Sequence, residues 1–110
     1  MIRDTIGRIE QQIRDSESIT PQRREELLVL LASLKSEVAS LAEADREQAQ
    51  SIAGFTAVSA HEATRDEKNP ELVQLSITGL SRSVEGFEKT HPKLVQAVNS
   101  ICTTLSNLGI

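Results

Sequence analysis

Pro21-Gln-Arg-Arg-Glu-Glu-Leu-Leu-Val-Leu-Leu-Ala-Ser-Leu-Lys-Ser-Glu-Val-Ala-Ser-Leu41 decides the fold class. Within it Leu27, Leu31, Leu34, Val38 and Leu41 recur at steps of four and three residues, the rhythm that keeps one edge of an α-helix apolar. A strand alternates every second residue and would scatter these side chains over both its faces. Around residues 27–31 the apolar surface wraps most of the way round the helix, so more than one neighbour is needed to cover it.

Upstream, Ile2, Ile6, Ile9 and Ile13 form a second stripe and leave Arg3, Arg8, Glu10 and Arg14 outside it, which predicts a short amphipathic first helix. Thr20 then offers a side-chain oxygen to the next helix, and Pro21 sits where its missing N–H costs nothing. Downstream, the register of the second helix continues through Asp45, Gln48, Ile52 and Phe55. Asp45 and Gln48 read either as a solvated stretch or as polar positions that set register. The helix is expected to end near Gly54 or to run on to about His61. Residues 62–69 are charged, carry no large apolar side chain, and read as a loop.

The start signal recurs at Asn69-Pro70 and again at His91-Pro92. Between them Val73, Ile77, Leu80, Val84 and Phe87 form a third stripe, and after them Leu94, Val98, Ile101, Leu105 and Leu108 form a fourth. Asn107 and Gly109 supply a helix stop, with Ile110 able to fold back as an apolar clamp. The reading is all-α: one domain over 1–110, with tandem antiparallel helical hairpins at 2–55 and 70–108, assembled as a dimeric helical bundle. The second helix has coiled-coil character.

Composition supports this. The 38% hydrophobic content comes almost wholly from aliphatic residues, with Phe55 and Phe87 as the aromatics, a supply that suits helix packing better than sheets or aromatic-lined pockets. The net charge of −4 and the absence of aromatics among the scattered basic residues argue against nucleic acid. The uncharged stretches are too broken by polar residues to cross a membrane, and no signal peptide is visible. The cytoplasm is the expected compartment.

The inventory for chemistry is thin. His61-Glu62-Ala63-Thr64-Arg65 opens like the zinc-protease pattern H-E-x-x-H, but Arg65 stands where a second imidazole must sit. His91 has only Glu88 and Thr90 nearby in sequence, and its place before Pro92 points to a structural role. Cys102, beside Ile101 and Leu105, reads as a small apolar filler. No catalytic residue, metal ligand or cofactor is expected.

Gly86-Phe-Glu-Lys-Thr-His-Pro-Lys-Leu94, then Asn99-Ser-Ile101 and Leu105-Ser-Asn-Leu-Gly-Ile110, resemble the ending of a family of short bacterial proteins known as domain of unknown function 4404. Its pattern runs F-E-x-x-H-P-x-L, N-x-I, L-x-N-x-G-I. The resemblance implies a small helical protein and carries over no mechanism. Residues 51–69 have no counterpart in it.

Charge then points to a surface. No ionisable side chain occurs between residues 72 and 81, and past Lys93 only the Cys102 thiol and the terminal carboxylate remain. Surface helices normally carry Lys and Glu outside, so the C-terminal hairpin is expected to be covered by another part of the chain or by a second copy. The expected function is a self-associating interaction or scaffold module, with Val73, Ile77, Leu80, Val84, Phe87, Leu94, Val98, Ile101, Leu105 and Leu108 as its surface. The alternative is a regulator that grips another protein by helix-in-groove packing, with residues 105–110 as the docking tail.

Overall fold

Helix starts are fixed by side-chain oxygens that meet the orphan N–H groups of a first turn. In the computed structural model, which describes residues 2–41 and 43–109, α1 spans Ile2–Asp15, α2 Pro21–Ala39, α3 Arg46–Thr64, α4 Pro70–Ser83 and α5 Pro92–Gly109. All regular structure among the described residues is helical. Thr20 Oγ1 accepts from the N–H of Arg23 at 3.3 Å, and Asn69 Oδ1 accepts from the N–H groups of Glu71 and Leu72 at 3.0 and 3.3 Å. Each proline follows its cap with φ already helical.

The single long second helix expected from the sequence is in fact two helices, α2 and α3. At the end of α2 the N–H groups of Ser40 and Leu41 reach back three residues, to the carbonyls of Glu37 and Val38. The Ser40 hydroxyl adds a bond to Glu37 O at 2.8 Å, and one 3₁₀ turn at Glu43–Asp45 leads into α3. The break falls where the stripe loses its aliphatic side chains, because Asp45 and Gln48 bring no apolar burial to hold a helix straight. An unbroken helix over 21–64 would measure about 66 Å, against a longest dimension of 38 Å for the molecule. Gly54 lies inside α3, and α3 runs through the first residues of the expected 62–69 loop to Thr64.

Helix α3 lies at the centre, packed on α1, α4 and α5. Its buried side chains are small: Ala49, Ala53, Thr56, Ala60 and Ala63, again at steps of four and three, with Ile52 beside them. Small side chains let neighbouring helices approach closely, and their own polar atoms must be satisfied. Thr56 and Thr64 meet this by donating to the carbonyls one turn back, Ile52 O and Ala60 O, both at 2.7 Å. The Ser59 hydroxyl, fully buried, has no partner among the described residues.

Two polar devices tie α1 down. Glu10, buried against α2, pairs with Lys35 Nζ at 2.6 Å, and removal of Lys35 would leave the buried carboxylate without its cation. The Arg24 guanidinium donates to the carbonyls of Ile13, Ser16 and Ile19, placing a cation on the carbonyls that α1 and the loop after it leave open.

At the far end α5 runs to Gly109, the last described residue, which is buried where a Cβ would come 2.6 Å from Val73 Cγ1. Glycine there gives helix-to-helix clearance. The clamp expected of Ile110 lies outside the described residues.

If α3 owes its place to its small face, Ala60→Leu should overpack the centre and cost about 2 kcal/mol. Ser59→Ala should instead raise stability by about 1 kcal/mol through loss of an unpaired hydroxyl. Urea denaturation of both variants measures the two changes, which should have opposite signs.

Candidate interaction surface

The apolar residues proposed from sequence as an association surface turn inward. Val73, Ile77, Leu80, Val84, Phe87, Leu94, Val98, Ile101 and Leu105 are all buried within a single chain, and Leu108 packs partly against them. They belong to one cluster with Ile6, Ile13, Leu27, Leu31 and Leu34. The reason is geometric: with α2 and α3 separated, there are five helices to close around the rows, and no twin is needed to cover them. Leu105, at 1% exposure, is core and not a docking tail.

The stretch of α5 past Lys93, which lacks charge, finds a different explanation from the expected cover. Its outer face carries Gln96, Asn99, Ser100, Thr103 and Asn107, all exposed, so amides and hydroxyls stand there in place of charges.

The outer face shared by α3 and α4 is of another kind. Phe55 and Val58 on α3, with Leu72 and Leu75 on α4, remain exposed, Leu75 most of all at 69%. The two helices touch through Phe55 and Gly79, where a Cβ on residue 79 would collide with the Phe55 ring. Phe55 therefore lies over α4 with its ring partly in water, and the four side chains stand along neighbouring ridges. Neither residues 48–60 nor residues 72–81 contain an ionisable side chain. Large apolar side chains gathered where charge is absent mark a contact surface. Val29, on α2, is the other large exposed aliphatic among the described residues.

The candidate chemical groups are dispersed. His91 Nδ1 lies 3.0 Å from Thr90 Oγ1, and its ring meets Phe87 edge-on at 5.3 Å. Glu88 is occupied elsewhere, accepting from the N–H of Gly86, whose φ of +98° suits glycine. His61 and Arg65 border an open cleft of about 620 Å³ with Gln12, Asp15, Thr64 and Asp66, and Glu62 there bonds to Arg65 at 3.0 Å. Among the described residues no group of three His, Cys, Asp or Glu side chains could hold a metal ion. No helix of the described residues is long and apolar enough to cross a membrane.

Cys102 sits between α5 and α4, its thiol 3.9 Å from Ile77 O. Burial pushes its pKa up to about 11, since a thiolate there would lose its water. The sign follows: the folded chain holds the proton more tightly than the unfolded one, so stability is unaffected below pH 9 and declines as pH climbs toward 11. Alkylation of the native thiol at pH 8 should accordingly be slow, and should accelerate sharply on unfolding. Equal rates in buffer and denaturant would show the thiol to be open.

The model of a family described as a domain of unknown function, DUF4404, matches residues 27–110, and the chain belongs to that family. The match takes in the break between α2 and α3, both helices of the exposed face, and residues 51–69, for which the C-terminal motifs gave no counterpart. No curated protein and no solved structure matches the chain.

Proposed function

We propose that this member of the DUF4404 family is a non-catalytic interaction module that associates with itself, and that the α3–α4 face is where it does so. In this reading α1–α2 and α4–α5 act as two hairpins joined by α3, and the assembly is a dimer of bundles made across the exposed face. The supporting observation is the coincidence of Phe55, Val58, Leu72 and Leu75 on two helices whose stretches 48–60 and 72–81 carry no ionisable side chain.

The energetics favour such a use. Covering the part of each side chain still in water would gain about 1 kcal/mol, a fraction of the value for burying a fully exposed one. A chain of net charge −4 repels its own copies over most of its surface, so an uncharged face is where two copies approach at least cost.

Sedimentation velocity over a concentration series tests the reading. The wild-type chain should dimerise by tens of micromolar, and Leu75→Asp should leave a monomer with unchanged helical circular dichroism, because residue 75 supports nothing inside the chain. A wild-type chain that stays monomeric, or a dimer indifferent to Leu75→Asp, would refute it.

A further inference from the structure

The charges that border the apolar ridge of α4 are arranged in a self-complementary order. Glu71, Leu75, Thr78 and Arg82 fall at steps of four, three and four, which aligns them along one outward stripe of the helix. Glu71, Leu75 and Arg82 are exposed and Thr78 half-buried. Glu71 stands in the first turn and Arg82 in the last, about 16 Å apart along the axis. Neither side chain has an ion-pair partner among the described residues. Just outside the helix, Lys68 and Glu85 are also exposed and lie equally far in sequence from the helix midpoint. The order along the chain is therefore plus, minus, an uncharged apolar stretch, plus, minus.

Turning such a stripe end for end against itself sets every charge opposite its counterpart. Glu71 faces Arg82, and Leu75 faces Thr78 across the centre. A parallel pairing would instead set each charge against its own kind. We propose that the occupant of the α3–α4 face is a second copy of this chain, its α4 antiparallel to the first about a two-fold axis near Ser76 and Ile77. Glu71 of each copy then pairs with the partner's Arg82. This inference rests on the reading of the face as a self-association surface and adds the geometry of the contact.

An isologous contact makes a prediction that no one-sided contact shares. Glu71→Arg gives a stripe that is positive at both helix ends, and Arg82→Glu gives one that is negative at both. Each variant alone meets like charge twice per dimer, and in low salt its dissociation constant should rise about tenfold. Mixed in equal amounts the two should recover dimerisation, because the Arg pair of one stripe then faces the Glu pair of the other, and native mass spectrometry should find the mixed dimer well beyond the share that random pairing gives. A mixture no tighter than its components, or single variants as tight as wild type, would overturn the two-fold pairing. If Leu75→Asp still dissolved the dimer while the charge variants had no effect, the face would stand and the pairing would fall. A wild-type monomer would remove both. Circular dichroism of each variant separates loss of pairing from loss of fold.

Discussion

Close approach along α3 is the constraint on which the rest of the architecture depends. A central helix must be thin on every side that it buries, and Ala49, Ala53, Thr56, Ala60 and Ala63 make α3 so. With a leucine at each of these positions α1, α4 and α5 would stand farther away, and their aliphatic rows would no longer meet across it. Thr56 and Thr64 place their hydroxyl protons on carbonyls of their own helix, and Thr64 Oγ1 also accepts from Gln12 Nε2 of α1 at 3.4 Å. The large side chains come from the surrounding helices, and the small ones from the centre.

Much of this was legible in the chain and some was not, for identifiable reasons. The four aliphatic rows announce helices because their period excludes strands, and Thr20-Pro21 and Asn69-Pro70 mark helix entrances through chemistry that acts over only a few residues. The break between α2 and α3 was hidden because a periodic register persists through Asp45 and Gln48 to Ile52. Register records which side of a helix would be buried, and is silent on whether the helix continues. The central role of α3 was missed because alanine and threonine are weak hydrophobic signals, although their spacing repeats the rhythm of the leucines. The charged run after Glu62 concealed the last turn of α3 for a similar reason: Ala63 and Thr64 are buried, and neither is large.

The surface was misplaced by a related ambiguity. A row of aliphatic residues states that it will be buried but not by what. Once α3 folds back separately from α2, the rows of α4 and α5 are covered inside one chain, and the side chains that remain outside are Val29, Val58, Leu72 and Leu75, which lie off the rows, and Phe55, the last position of the second row. Absence of charge, which first drew attention to residues 72–81, carries over to the structure on α4 and has another meaning on α5, where amides and hydroxyls face water. Family membership over residues 27–110 encompasses the whole of this arrangement except α1 and the start of α2.

The most direct measurement is of nuclear Overhauser effects between differently isotope-labelled copies in a mixed sample, read at methyl groups. Intermolecular contacts are expected from the Leu75 methyls to the partner's Thr78 methyl, with none at Val98 or Leu105. Contacts between copies at the α5 methyls, with Leu75 silent, would contradict it.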